Sequence, residues 1–224
     1  MAIWKNARVI AIKQETARAK TFRLALDEQP GQRAGQHFVV RLTAPDGYTA
    51  QRSYSVASAP DDSHEFELTV ERLEDGEVSM FLHDEVIVGD ELEVRGPIGG
   101  WFVWEGETPA ILVGGGSGVV PLMAMLRLAR NRGRADLLRL VASVRTPDDL
   151  LYADELPGPQ SHVVYTRVRP EGRLAAADLD PLLAPGLAAY VCGSAGFAET
   201  ASHLLVDLGV PTENIRVERF GPTG

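Results

Sequence analysis

The fold of this chain is decided by the stretch Ile111-Leu112-Val113-Gly114-Gly115-Gly116-Ser117-Gly118-Val119-Val120-Pro121-Leu122-Met123. Its three apolar β-forming residues predict a strand that is buried on both faces. Four of the next five residues are glycines, and the apolar residues beyond them recur at helical spacing, so we expect the strand to turn tightly into a helix. Free backbone N–H groups and the helix dipole make such a turn a binding site for an anion, usually a phosphate.

This glycine-rich turn differs from the two best-known phosphate-binding motifs. No Lys-Ser or Lys-Thr pair follows the glycines, so the turn is not a P-loop. Pro121 stands where the third glycine of the standard dinucleotide-binding motif would follow Gly116 and Gly118. Proline is tolerated in a first helical turn, because the N–H group that it lacks would have no helical partner there. Taken alone, the turn is explained equally well by a tight connection that binds nothing.

Length and composition narrow the possible classes of protein. A chain of 224 residues forms one large domain or two of ordinary size. The net charge of −9 argues against a nucleic-acid partner. The single cysteine, Cys192, excludes an internal disulfide or a four-cysteine metal cage, and the five scattered histidines suggest no metal site. No apolar run approaches the ~20 residues of a membrane helix, and residues 1–6 lack a secretory core, so we expect a cytoplasmic protein without membrane contact.

The first hundred residues have the pattern of a β-domain. Short apolar or alternating segments are separated by turns that contain glycine or proline. The predicted strands are Val9–Ile12, Phe22–Leu26, Phe38–Leu42, Arg52–Ala57, Glu65–Leu73 and Glu91–Arg95. Strands at this spacing predict a closed antiparallel barrel, with one short helix from Val78 to about His83.

From residue 109 the pattern alternates between strand and helix, which predicts a parallel sheet covered on both faces. Further strands are predicted at Leu137–Ser143, Ser161–Val168, Leu187–Cys192 and Ile215–Glu218. A helix is predicted after Thr146, where a capping hydroxyl precedes Pro147 and two acids, and another over Phe197–Leu208. We therefore divide the chain into residues 1–104, a β-barrel, and residues 105–224, an α/β domain.

Four further motifs carry possible chemistry, and each has an ordinary structural explanation. Arg52-Ser53-Tyr54-Ser55 can hold a phosphate with its arginine and a planar ring with its tyrosine, or it can be a plain exposed strand. Gly76-Glu77-Val78-Ser79 suits a second phosphate, or caps a helix. Cys192-Gly193 ends a parallel strand, where ligands bind, or holds a buried thiol. Glu218-Arg219-Phe220 either belongs to a functional site or is simply a terminal strand with a capping aromatic residue.

Together and in this order, the motifs resemble those of the ferredoxin–NADP reductase superfamily, in its compact bacterial form without a fused iron–sulfur domain. The resemblance covers nearly the whole chain. It departs from the family at Ser117, where threonine is commoner, and after Phe220, which four residues follow here but which ends the chain in plant-type members. The resemblance implies an antiparallel Greek-key β-barrel that binds FAD and a Rossmann-like parallel-sheet domain that binds NAD(P).

The resemblance also implies a role for each motif. The arginine of the Arg52–Ser55 strand binds the flavin phosphate, Tyr54 packs on the flavin, and the serine lies near its N5 atom. Ser55, Cys192 and Glu218 are the implied catalytic residues that line the site of hydride transfer, with Phe220 flanking the flavin. The full implied cofactor-binding set is Arg52, Ser53, Tyr54, Ser55, Val70, Arg72, Gly76, Glu77, Val78, Ser79, Gly116, Ser117, Gly118, Pro121, Arg145, Arg167, Arg173, Cys192, Gly193 and Phe220.

The resemblance implies an NAD(P)H-dependent flavoprotein reductase that passes electrons to a separate acceptor, such as ferredoxin, flavodoxin or an oxygenase component. No acid ends the second strand of the α/β domain, where NADH-binding proteins carry one, and Arg145, Arg167 and Arg173 suit the 2′-phosphate of NADPH. Asp148 and Asp149 favour NADH instead, so NADH stays open. A reductase of free flavin and a non-catalytic electron-transfer subunit of a larger complex are the alternative functions.

Overall fold

The computed structural model describes residues 3–170 and 172–220. The first six strands form one antiparallel sheet with the spatial order β4-β3-β6-β1-β2-β5. A bridge between Val56 and Leu68 joins its two edges, so the sheet closes into a barrel, and β6 returns to lie between β1 and β3 as in a Greek key. The bounds are β1 Trp4–Thr16, β2 Ala19–Ala25, β3 His37–Thr43, β4 Thr49–Ser55, β5 Glu65–Glu71 and β6 Glu91–Ile98, with helix α1 at Glu77–Asp84 between β5 and β6.

Alternating side chains fill the interior of the barrel. Phe22 and Leu24 on β2 face inward, as do Phe66 and Leu68 on β5, while the residues between them are polar or more exposed. The rings of Phe38 and Phe66 stack with centroids 4.3 Å apart. The antiparallel barrel predicted from this alternation is confirmed.

The rest of the described chain forms a five-stranded parallel sheet with the order β11-β10-β7-β8-β9. The chain leaves β7 in one direction for β8 and β9, and later returns to its other side for β10 and β11. The carboxyl ends of β7 and β10 are therefore the point where an open α/β sheet usually binds its ligand. The bounds are β7 Ala110–Gly115, α2 Val119–Asn131, β8 Leu138–Val144, β9 Ser161–Tyr165, α3 Ala176–Leu179, β10 Ala188–Ser194, α4 Ala195–Asp207 and β11 Ile215–Phe220.

The barrel and the sheet domain share one apolar core. Alanines on the barrel side, including Ala34 and Ala57, belong to the same buried cluster as Met123 and Met125 of α2. The linker between β6 and β7 is tied to the barrel where the Trp104 N–H donates to the Ala34 carbonyl at 3.1 Å. Among the described residues, no helix is both long and apolar enough to span a lipid bilayer.

The prediction of a helix after Thr146 is wrong, because that segment forms only a single 3-10 turn at Pro147–Asp149. The predicted cap is present, since the Thr146 backbone N–H and hydroxyl both donate to Asp149 Oδ2, at 3.0 and 2.7 Å. The following Leu150, Leu151 and Tyr152 are buried in the core that the two domains share, and Tyr152 bonds to Glu15 and Thr69 of the barrel. Local capping signals cannot anticipate this contact, since the barrel surface comes from residues more than 70 positions earlier.

Candidate active site

A cleft of about 1210 Å³ lies between the barrel and the parallel sheet. Tyr54 on β4 and Gly116 in the turn after β7 both line it, so the two predicted nucleotide sites open into one space. The volume exceeds the roughly 300–1,000 Å³ that usually holds one small ligand. The predicted site residues that line it are Arg52, Ser53, Tyr54, Ser55, Gly76, Ser79, Gly116, Ser117, Arg145, Arg173, Glu218 and Phe220.

The remaining predicted residues do not form the lining of the cleft. Val70 and Val78 are buried in the barrel core, and Arg72 is paired with Asp84 at 2.9 Å. The Glu77 carboxylate accepts a hydrogen bond from the Tyr48 hydroxyl at 3.1 Å. The others in this group are Gly118, Pro121, Arg167, Cys192 and Gly193.

The end of β4 forms the barrel wall of the cleft. Tyr54 packs against the barrel core, and burial raises the pKa of its hydroxyl while the nearby Arg52 guanidinium opposes that rise. The Arg52 side chain donates to the Gln51 carbonyl at 2.8 Å. Ser55 is buried at the inner end of the strand. The wall therefore presents a neutral aromatic ring between a cation and a hydroxyl, which suits a planar group that carries a phosphate.

The start of α1 forms a compact turn beside this wall. The Ser79 hydroxyl donates to the Gly76 carbonyl at 3.0 Å and accepts the Leu73 N–H at 3.1 Å. A Cβ atom at Gly76 would lie 2.4 Å from Ser79 Oγ, so a side chain at this position would displace the hydroxyl. The serine thus shapes the turn, and the backbone of the turn faces the cleft at Gly76.

The glycine-rich turn after β7 is packed directly against the end of β10. A Cβ atom at Gly118 would lie 2.1 Å from the Cys192 carbonyl oxygen, so only glycine permits this approach. A Cβ atom at Gly115 would meet the Phe197 ring at 2.5 Å. Gly116, by contrast, has a φ of +55° and open space around it. The turn thus exposes backbone to the cleft at Gly116 while its neighbours hold α2 against the sheet.

Glu218 and Cys192 are adjacent in register on β11 and β10 but differ in exposure to the cleft. Glu218 lines the cleft, and burial raises the pKa of its carboxyl to about 7. Cys192 is fully buried, and burial, followed by the negative charge of Glu218, raises the pKa of its thiol well above the usual range. Near neutral pH the carboxyl can hold or release a proton, whereas the thiol stays neutral.

The carboxyl end of β8 forms the far end of the cleft. Arg145 lines it together with Arg173, Thr166 and Asp149. Arg167 bonds through its backbone N–H to the Arg145 carbonyl at 2.9 Å, outside the lining. Two of the three predicted arginines, Arg145 and Arg173, therefore line the cleft.

His37 and Phe197 are two of the cleft residues that the sequence did not predict. His37 pairs with Ser55 across β3 and β4, and burial lowers the pKa of its imidazole, so it is neutral near pH 7. Phe197 lies close to the backbone of both Gly115 and Gly193. The pairing register that places His37 opposite Ser55 has no local signal in the sequence. The Phe197 position could have been noticed as the first large apolar residue after the Cys192-Gly193 turn.

Comparison with known proteins agrees with this geometry. Residues 6–103 match the family of oxidoreductase FAD-binding domains. Over these residues the chain matches an oxidoreductase FAD-binding domain, and the solved structures similar to it include ferredoxin reductases. The FAD-binding domain predicted from the motifs is thereby confirmed, and so is the resemblance to ferredoxin reductases.

Similar sequences occur in longer proteins. The chain is 32% identical to the glycine betaine monooxygenase reductase subunit of Chromohalobacter salexigens, with 97% of this chain aligned. It is 33% identical to a flavohemoprotein of Pseudomonas putida, again over 97% of this chain. The chain spans 64% and 59% of the lengths of these two relatives.

Solved structures share the two-part architecture. The FAD/NAD-binding domain of a nitric oxide dioxygenase from Vibrio cholerae superposes with a TM-score of 0.86 at 26% identity, covering 97% of this chain and 99% of that domain. Phthalate dioxygenase reductase superposes with a TM-score of 0.84 at 22% identity, covering 99% of this chain and 69% of that protein. The predicted combination of a barrel with a Rossmann-like sheet is confirmed.

Proposed function

We propose that this protein takes a hydride from a reduced nicotinamide dinucleotide onto bound FAD and passes the electrons to a separate acceptor. The observation that carries the proposal is the single cleft into which both the Arg52–Ser55 strand and the glycine-rich turn open. The family match over residues 6–103 supports FAD binding by residues 1–104. The similarity to the FAD/NAD-binding domain of the Vibrio cholerae nitric oxide dioxygenase supports dinucleotide binding by residues 105–224.

The residues present fit FAD. The cleft offers an aromatic ring at Tyr54, a guanidinium at Arg52 and exposed backbone at Gly76 and Gly116. We propose that Arg52 and the Gly76 turn hold the flavin phosphates, and that Tyr54 packs on the ring system. When bound, FAD supplies the hydride acceptor and then releases electrons singly.

The protein groups position the two rings and control protons around them. Ser55 and Glu218 face the cleft from opposite walls, one from β4 and the other from β11. We propose that the Ser55 hydroxyl orients the flavin edge, and that the Glu218 carboxyl holds or releases a proton, which its pKa of about 7 allows. We propose that Cys192, which is buried beside Glu218, contributes packing behind the cleft wall, and that Phe220 would flank the flavin.

We further propose NADPH as the electron donor, with NADH as a weaker one. Arg145 and Arg173 both line the cleft, and their guanidinium groups suit a 2′-phosphate. One carboxylate oxygen of Asp149 is engaged by the Thr146 cap, which leaves it a poor partner for a ribose hydroxyl. Replacing Arg145 by alanine should raise the KM for NADPH about tenfold or more and leave the KM for NADH within twofold. The exposed Arg134, changed to alanine, is the matched control, and equal effects on both donors would contradict the assignment.

The acceptor is proposed to be an iron–sulfur or flavodoxin-like protein, or an oxygenase component. The similarity to a monooxygenase reductase subunit supports an acceptor of this kind.

The test of the proposed function is anaerobic reduction of the purified protein. Flavin that stays bound through dialysis and is bleached within seconds by NADPH supports the proposal. Flavin that dialyses away yet is reduced in solution with turnover indicates a reductase of free flavin. A protein that binds no flavin on reconstitution indicates a non-catalytic subunit, and the proposal fails.

A further inference from the structure

The connection between β8 and β9, residues 145–160, forms part of the cleft and is anchored at Tyr152. Arg145, Asp149 and Leu151 line the cleft, and Tyr152 follows immediately. Within residues 3–170 and 172–220, Tyr152 is the single non-glycine residue with a positive φ, at 57°. That conformation is disfavoured for a bulky side chain, so the contacts around the residue must hold it in place.

A closed ring of hydrogen bonds holds Tyr152 on the barrel. Its hydroxyl donates to Thr69 Oγ1 at 2.6 Å, and the Thr69 and Thr21 hydroxyl oxygens lie 2.8 Å apart. The Thr21 hydroxyl donates to Glu15 Oε1 at 2.9 Å, and Glu15 Oε2 accepts the backbone N–H of Tyr152 at 3.3 Å. These directions require Thr69 to donate to Thr21, so each of the three hydroxyls donates one bond and each threonine hydroxyl also accepts one.

The ring is shielded from water and its charge is balanced. Tyr152, Thr69 and Thr21 are all buried, and the Glu15 side chain is 4% exposed. Lys13 Nζ lies 3.3 Å from Glu15 Oε2, which offsets the buried carboxylate. Because buried polar groups are costly to leave unpaired, removing one hydroxyl affects the whole ring.

This ring of hydrogen bonds lies between two walls of the cleft. Thr69 on β5 lines the barrel wall of the cleft, and Leu151 lines the opposite side next to Tyr152. Arg127 of α2 lies with its Cζ atom 4.8 Å from the centre of the Tyr152 ring and donates to the Ala57 carbonyl at 2.9 Å, two residues beyond Ser55. The Tyr152 hydroxyl therefore joins the wall that faces one nucleotide to the segment that faces the other.

We propose that Tyr152 is a positioning residue that sets the place of the β8–β9 connection, and with it of Arg145, relative to the barrel wall, and so governs dinucleotide binding. The inference rests on the proposed function, because it assigns this end of the cleft to the dinucleotide. Loss of the Tyr152 hydroxyl should loosen the β8–β9 connection, while the aromatic ring of the side chain still fills its site.

The test compares Tyr152→Phe with Tyr190→Phe in the FAD-loaded protein. Tyr190 is a matched control, since it is also buried and its hydroxyl donates to the Val103 carbonyl at 3.0 Å, away from the connection. Tyr152→Phe should raise the KM for NADPH about tenfold, with kcat and flavin content changed less than twofold, since one buried hydrogen bond is lost. Amide hydrogen exchange of the 145–152 segment, measured without substrate, should speed up at least tenfold in Tyr152→Phe alone.

A second variant breaks the ring at another point. Thr21→Val should raise the same KM, and adding it to Tyr152→Phe should raise the KM no further, because one ring is interrupted in both cases. Equal KM values and equal exchange in Tyr152→Phe and Tyr190→Phe would overturn the inference, as would additive effects of the two ring variants. If NADPH fails to reduce the wild-type flavin, the proposed function fails, and faster exchange in Tyr152→Phe alone still supports the anchoring of the connection.

Discussion

Replacing Glu218 by glutamine should change how the stability of the protein depends on pH. Glutamine keeps the shape of the side chain but cannot ionise. Burial raises the pKa of the Glu218 carboxyl from an ordinary value of 4.5 to about 7 in the folded protein. The folded protein therefore binds more protons than the unfolded chain between these two values. The free energy of unfolding consequently falls as pH rises through that window and is level above it.

The size of the effect follows from the two pKa values. Between pH 5 and pH 8 the wild-type protein should lose about 2.5 kcal/mol that the glutamine variant keeps, at 1.36 kcal/mol for each pKa unit. This figure is an upper limit, since Glu218 lines an open cleft and retains some water.

Urea unfolding at both pH values measures the effect, using protein stripped of flavin so that ligand release adds nothing. Replacement of the exposed Glu107 by glutamine provides the control and should leave the pH dependence of the wild type unchanged. If the free energies of unfolding of the wild type and the Glu218 variant changed with pH in the same way, the carboxyl would not be desolvated. Its proposed role in proton transfer would then be contradicted.

Three further substitutions test the packing that shapes the cleft. Gly118→Ala should lower the free energy of unfolding by at least about 2 kcal/mol, because its Cβ atom would meet the Cys192 carbonyl. Gly116→Ala, which adds only strain at a positive φ, should lower it by about 1 kcal/mol; a reversed order in urea unfolding would refute the close approach. Arg127→Met should lower the free energy of unfolding by about 2 kcal/mol, because Glu67 and the Ala57 carbonyl lose their partner while Arg130 still pairs with Glu155. An unchanged thermal midpoint would show that this bridge is dispensable.

Much of this architecture was predictable from local patterns. Alternation along segments such as Phe22–Leu26 predicts the barrel strands, and the Ile111–Met123 stretch predicts a buried strand that turns on glycine into a helix. The positions of these elements in the structure agree to within a few residues, except that β1 is much longer than its apolar stretch, at Trp4–Thr16. These predictions succeed because burial repeats every 2 residues in a strand and every 3.6 residues in a helix. Both patterns are visible in residues that are close in sequence.

Contacts between distant segments were beyond the reach of such patterns. The capping signal at Thr146 is real, yet the helix does not continue beyond it. Tyr152 gains partners on β1 and β5 that no local rule contains. The burial of Cys192 and the placing of Arg167 outside the cleft likewise depend on how neighbouring strands cover them.

The sequence by itself determined the two kinds of sheet, the order of the nucleotide-binding motifs and the family that these motifs resemble, since each depends on spacing along the chain. Only the tertiary structure decided which of those motif residues face a common cleft and that His37 lies opposite Ser55. It also decided that burial raises the pKa of the Glu218 carboxyl to about 7. The physical reason is that burial and hydrogen bonding are properties of neighbours in space, and most of those neighbours here lie dozens of residues apart.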